Sequence, residues 1–274
     1  MKDLECTEFL QWGLPRLRFR WSGFRKVRKQ VCKRLQRRIS ELGLSDISTY
    51  KGYLDSHSAE WEVLDSLCQI TISRFYRDRR VFDALCSTIL PGLAKNASET
   101  GAHEIRCWCA GCCSGEEAYT LQILWRTYVM PALQRQIPLR IIATDLNPDV
   151  LERAQKGAFP ASSLVDLPEK LIREAFECSG SACTIRGAFR EDVEFARQDI
   201  REQLPEGTFH LLLCRNLVFT YFDRTLQLEI LERIVERLSP GGFFVIGIHE
   251  SLPDGVSTLV PYNKLPGVYQ KSAL

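Results

Sequence analysis

The stretch Cys109-Ala110-Gly111-Cys112-Cys113-Ser114-Gly115-Glu116-Glu117 joins two glycines, which let a backbone approach a ligand closely, to two carboxylates where a helical pattern begins. A helix N-terminus suits a phosphate, but Glu116 and Glu117 would repel one. Their charge suits a cationic amine, such as that of a methionine moiety. About 30 residues further on, the apolar run 139–143 leads into Asp145, and an acid at the end of a second strand can accept both hydroxyls of a ribose. By position alone the same residues also fit a plainer role, with Gly111 and Gly115 shaping a turn and Asp145 capping a helix. Cys107, Cys109, Cys112 and Cys113 crowd this loop, and Cys109 to Cys112 spells C-x-x-C. A structural zinc site needs a second ligand pair, and the chain has no matching C-x-x-C or H-x-x-x-H, so no metal is expected.

Holding these residues at strand ends requires alternating strands and helices, and the pattern supplies them. Short apolar runs at 105–109, 139–143, 209–214 and 243–247 read as strands, the last after the turn Ser239-Pro240-Gly241-Gly242. Between them, 116–130, 149–156 and 222–238 read as helices. The fold class is therefore α/β, a doubly wound, mostly parallel sheet, preceded by a small all-helical domain. In that first domain Val27, Val31, Leu35 and Ile39 recur every four residues. Ser22 is a candidate N-cap, Gly43 a stop, and Ser45, Ser48 and Ser58 caps for the helices that follow. A further helix at 80–90 should stop near Pro91-Gly92. The domains are placed at 1–70 (helical, with the basic helix), 71–95 (linker helix) and 96–274 (α/β).

Hydrophobic residues make up 45% and charged residues 26% of the 274, a composition that excludes global disorder. No apolar run approaches the length of a membrane span, and the start of the chain lacks the apolar core of a signal peptide, so a cytoplasmic location is expected. Eleven cysteines are an odd number, and in a reducing compartment they read as small core hydrophobes. The net charge of +2 conceals eleven Arg and Lys between Arg16 and Arg38 with no acid among them. That stretch should attract an anionic partner. Nucleic acid is not the expected one, because the basic residues sit on one amphipathic helix without a recognition fold.

Several ordered motifs make the chain resemble, over about residues 20–270, the chemotaxis receptor methyltransferases (CheR), which methylate receptor glutamates. They are the segments 70–78, 109–119, 143–147, 214–223 and 238–242. The resemblance implies a Rossmann-like methyltransferase domain using S-adenosyl-L-methionine and releasing S-adenosyl-L-homocysteine. It assigns Glu117 and Asp145 to the donor's amino group and ribose, beside Gly111 whose backbone can approach the donor, Asp199 and Ile200 to its adenine, and Arg215 and Asn216 to the same pocket. Thr71, Ser73 and Arg77 match positions that close over the donor. Arg77 suits a bidentate pair with a carboxylate, of donor or acceptor, the competing partner being Asp78 or Asp83 at the surface. Tyr221 matches a tyrosine near the transferred methyl.

Three features depart from the family pattern. Ile70 precedes Thr71 where an asparagine is usual, and Tyr76 and Asp78 replace phenylalanine and glutamate. Four residues instead of three separate Asn216 from Tyr221, which also fits an aromatic packed between elements. Between Phe176 and Phe195 the family carries an antiparallel insertion that can dock a receptor tail.

A glutamate acceptor, ionised near neutral pH, needs no general base, which agrees with His57, His103 and His210 lying outside the motifs and only His249 near one. The basic helix would then lie on an acidic helical surface of a protein substrate, a chemoreceptor cytoplasmic domain being one. The alternatives are methylation of another protein or a small molecule, or donor binding without turnover.

Overall fold

The computed structural model describes residues 3–272, and the chain divides into two compact units, Met1–Ile70 with Leu217–Glu229 and Thr71–Asn216 with Ile230–Leu274. Among the described residues the second unit contains ten strands: β1 (Ile105–Ala110), β2 (Leu139–Asp145), β3 (Ala158–Pro160), β4 (Phe176–Ser179), β5 (Ala182–Ile185), β6 (Val193–Arg197), β7 (Phe209–Leu213), β8 (Leu238–Val245), β9 (Leu259–Pro261) and β10 (Val268–Lys271). Seven of them form one sheet in the order β6-β2-β1-β7-β8-β10-β9. The pairs from β6 to β8 are all parallel, and β10 and β9 add an antiparallel edge. The small sheet β3-β5-β4 is antiparallel, its β4 and β5 falling within the expected insertion.

Helix Glu116–Leu124 buries eight of its nine residues, so it lacks a polar face and sits inside the core with Trp125, Leu139 and Ile141. Helix Arg79–Ala84 does not stop at Pro91. It continues through a π-turn, Leu85–Ile89, into Leu90–Thr100. A proline cannot donate to the preceding turn and its ring crowds the carbonyl there. The wider π-turn immediately upstream relieves both conflicts. The same device, Trp125–Val129, precedes Pro131. Residues 71–78 are not helical, so the expected linker helix begins only at Arg79.

The turn expected at 239–242 lies inside β8, where the ladder with β7 shifts register between Phe209 and Leu211. Pro240 has no amide to donate and Gly241 has φ +71°, so the irregularity is a bulge rather than a turn.

Four cysteines depart from the expectation of reduced core thiols, being joined as Cys6–Cys32 and Cys178–Cys183. The second pair consists of residues directly opposite in the β4–β5 ladder, a register the sequence does not display. Among the described residues no helix is long and apolar enough to cross a membrane.

In the first unit, helix Arg28–Glu41 buries Val31, Leu35 and Ile39, the spacing read from sequence. Ser22 lies within the separate short helix Trp21–Phe24 and is not its cap. Asp46, rather than a serine, caps helix Ile47–Ser56 by accepting the Thr49 amide at 2.8 Å, a carboxylate being the better acceptor at a positive helix end. Ser58 is likewise no cap: helix Glu60–Cys68 begins without one.

Residues 217–229 group with this unit because the Phe222 ring stacks on Phe19 at 5.4 Å, and backbone bonds of 2.8 Å join Arg20 to Tyr221 and Asp223 to Arg18. At its centre Glu60, 4% exposed, accepts Arg38 through two bonds of 2.9 and 2.7 Å and the Tyr50 hydroxyl at 2.9 Å. Removing one partner of a buried pair strands the other charge. Arg38→Ala should therefore lower the unfolding free energy by about 3 kcal/mol in a denaturant titration, with little change expected on substituting the exposed Arg37.

Candidate functional site

In the main sheet the chain starts at β1, moves to one side through β2 and β6, then returns to β7 on the other side of β1. That reversal opens a crevice beyond the carboxyl ends of β1 and β7, where an open parallel sheet binds ligands. Three loops reach it: 111–115 after β1, Asp145 at the end of β2, and Arg215-Asn216 after β7.

The first loop is shaped by its backbone. Gly111, Cys113 and Gly115 all have positive φ (72°, 52° and 86°), and the Gly111 and Cys112 amides donate to the Thr144 carbonyl at 2.8 and 2.9 Å. Asp145 completes the turn, one oxygen accepting the Cys113 amide and the other the Asn147 amide, each at 2.9 Å. Each carboxylate oxygen keeps a further lone pair, so the capacity to accept hydroxyls remains. Gly115 has an internal reason to be glycine besides its φ: a Cβ there would lie 2.8 Å from the Phe195 ring. Asn147, not Asp145, caps the next helix, accepting the Asp149 amide at 2.9 Å.

Arg215 gathers the opposite wall. Its side chain is 4% exposed, with Nη1 donating to Glu117 at 2.9 Å and Nη2 donating to Asp78 at 2.6 Å and to the Arg77 carbonyl at 3.0 Å. Its guanidinium also lies 5.1 Å from the Phe82 ring centroid. Asp78 is thereby taken, and Asp83 accepts the Tyr76 hydroxyl, so neither pairs with Arg77. The Arg77 guanidinium instead donates to the Ile72 carbonyl at 3.2 Å. Tyr76, Asp78, Cys113 and Asn216, none of them glycine, sit in the left-handed region (φ 59°, 63°, 52° and 55°) on the loops around Arg215. Such backbone costs about 1 kcal/mol or more per residue and persists where surrounding bonds over-determine it.

The electrostatics favour a cation. Burial raises the Glu117 carboxyl above its ordinary range, with Arg215 and Arg77 pulling against that shift. Burial raises Asp145 too, opposed by its backbone donors, and raises Glu116, opposed in part by Arg153. Glu116 Oε2 and Arg215 Nε are buried without a hydrogen-bond partner. Three desolvated carboxyls on and beside the loop after β1, one of them with an orphaned oxygen, fit a ligand carrying an ammonium group and hydroxyls, as S-adenosylmethionine does.

Of the remaining expected residues, Thr71 and Ser73 line a cavity of about 300 Å³ with Ser114, Glu116 and Arg153. Asp199 and Ile200 are brought alongside Asp145 by the Gln198 amide, which donates to the Asp145 carbonyl at 3.1 Å. The Asp199 carboxylate is committed to Arg201 at 2.7–2.9 Å, and Ile200 is buried. Tyr221 belongs to the first unit, its ring 5.0 Å from that of Phe24. The sequence reading missed the hold of Asp78 on Arg215, although Asp78 lies in a quoted motif, and missed Glu250, for which no local signal exists.

Because burial raises Glu116 above the ordinary 4.5, the folded state favours its protonated form. The associated stability is present below about pH 4.5 and is lost as the pH rises through the folded value. Glu116→Gln, which cannot ionise, should melt at a higher temperature than the parent at pH 8, with the gap narrowing towards pH 4.5. A constant difference across that range would contradict the assignment.

Residues 71–265 match the family described as CheR methyltransferase, SAM binding domain. Among curated relatives, a chemotaxis protein methyltransferase of Listeria monocytogenes is 33% identical over 68% of this chain and 68% of its own length. That of Escherichia coli is 31% identical over 82% of this chain and 77% of its own. An uncharacterized 104.1 kDa protein of Rhodobacter capsulatus is 31% identical over 81% of this chain, which spans only 23% of that protein. The family match covers the crevice, its three loops and the segment 71–78, and the chain therefore belongs to the CheR methyltransferase family, with its S-adenosylmethionine-binding domain at residues 71–265.

Proposed function

We propose that the protein transfers the methyl group of S-adenosyl-L-methionine to the side-chain carboxylate of a glutamate in a chemoreceptor-like protein, releasing S-adenosyl-L-homocysteine. The observation that carries this reading is the cluster of desolvated carboxyls, Glu117 and Asp145 foremost, at the strand ends of a domain that matches the CheR family. The donor supplies an electrophilic methyl on a positively charged sulfur. Glu117, fixed by Arg215, holds the donor's ammonium, and Asp145 accepts its ribose hydroxyls, with Gly111 leaving the backbone open beside them. Asp199, Ile200 and Asn216 border the adenosine, while Thr71 and Ser73 cover the donor. Arg77, whose guanidinium donates to the Ile72 carbonyl and forms no ion pair with a carboxylate among the described residues, orients a carboxylate. No residue needs to remove a proton, because the acceptor is already ionised at neutral pH. The work of the protein is alignment and exclusion of water, worth roughly 7–11 kcal/mol in well-oriented reactions.

The surface offered to a protein substrate is narrower than eleven basic residues. Arg18 is bound to Glu229, Arg28 to Asp3, Arg38 to Glu60, and Arg20 and Arg34 to backbone carbonyls. On helix Arg28–Glu41, Lys29, Lys33 and Arg37 are exposed at intervals of four, Arg37 beside Glu41 at 3.3 Å, and Arg25 and Lys26 are exposed just before the helix. This stripe suits an acidic helix of the substrate, and a receptor's cytoplasmic domain as acceptor places the enzyme in the cytoplasm.

Incubation with methyl-labelled donor and a receptor cytoplasmic fragment should give label that alkali releases as methanol, whereas alkali-stable label would exclude a carboxylate acceptor. Asp145→Ala should weaken calorimetric binding of S-adenosylhomocysteine by about a hundredfold, the equivalent of two charge-assisted hydrogen bonds. Replacing Lys29, Lys33 and Arg37 together by alanine should raise KM for the protein acceptor about tenfold at low salt and flatten its salt dependence, with donor affinity unchanged.

A further inference from the structure

The loops after β7 and β8 are tied together by one carboxylate outside every motif used so far. Glu250 Oε2 accepts the Asn216 amide at 2.8 Å and the Gly247 amide at 2.6 Å. Its own amide donates back to the Gly247 carbonyl at 2.9 Å, closing a four-residue turn. Asn216 stands at φ +55°, a conformation that non-glycine residues adopt at a cost, so something must hold it there. The space around it is equally tight: a Cβ on Gly247 would lie 2.8 Å from Asn216 Oδ1 and 2.8 Å from Glu250 Oε2. Backbone and side chain of Asn216 are thus pinned by the same turn, one residue beyond the buried Arg215.

We propose that Glu250 is a positioning residue for the donor pocket. Through the Asn216 amide it fixes the left-handed corner from which Arg215 reaches Glu117 and Asp78 and from which Asn216 faces the donor. The proposal rests on the donor-binding reading above. Both amides converge on one oxygen, so what these two bonds require at this position is an acceptor. An amide side chain can take over the bonds, and a methyl cannot.

The test is calorimetric binding of S-adenosylhomocysteine to the full chain and its variants, with melting temperature and binding stoichiometry recorded alongside. Glu250→Ala should bind about tenfold more weakly at full stoichiometry, whereas Glu250→Gln should stay within about threefold of the parent. Gly247→Ala, which drives a methyl into the same contact, should reproduce the loss independently. It carries the comparison if Glu250→Ala does not fold. In turnover the loss should fall on KM for the donor more than on kcat.

Parent protein that binds no S-adenosylhomocysteine would overturn the donor reading and this proposal with it. A parent that binds, with Glu250→Ala equally tight, overturns the proposal alone. So does Glu250→Gln as weak as Glu250→Ala, or a loss that appears only as a lower melting temperature and reduced stoichiometry at unchanged Kd.

Discussion

The α/β unit is organised around a guanidinium removed from water. Arg215 satisfies Glu117 on the helix after β1 and, on the segment before helix Arg79–Ala84, both the Asp78 side chain and the Arg77 carbonyl. Burying an ion is expensive unless its partners are in place, so this one cation fixes the mutual positions of three loops distant in sequence. Two carboxylates on one guanidinium leave an excess negative charge in a desolvated crevice. Burial is what raises Glu117, against the pull of Arg215 and Arg77, and a cationic ligand would offset that cost.

The same wall stores conformational strain. Four left-handed non-glycine residues lie on the loops that meet there, each held by a bond from another loop: Cys113 by Asp145, Asn216 by Glu250, and the 76–78 segment by Arg215. Stability is given up locally to present donors and acceptors that a relaxed loop would turn inward. The surrounding core, with helix Glu116–Leu124 buried on nearly every side, supplies the rigidity that keeps such loops from relaxing.

The helical unit illustrates how composition overstates a binding surface. Six arginines of its basic run, Arg16, Arg18, Arg20, Arg28, Arg34 and Arg38, are bonded to acids or carbonyls within the unit, and Arg37 is paired with Glu41, so the exposed cations that remain are Arg25, Lys26, Lys29 and Lys33. Charge density read from sequence counts every residue, but those held by buried or bidentate internal partners are less available to another molecule.

Features governed by neighbours in the chain were legible from residue order alone. The four-residue apolar spacing of helix Arg28–Glu41, the strands ending at Ala110 and Asp145, and the glycine loop before Glu116 depend on local periodicity and backbone freedom. The motif order identified the family for the same reason. Tertiary structure decided what depends on residues far apart. Pro91 ends no helix because a π-turn upstream absorbs it, and Cys178 meets Cys183 because a ladder register brings them together. Gly115 is glycine partly because Phe195 arrives 80 residues later, and Glu250 matters because β8 lies beside β7. A short-range pattern can specify where a loop turns. Which charge it meets after the turn is set only when the sheet has closed and water has been driven out.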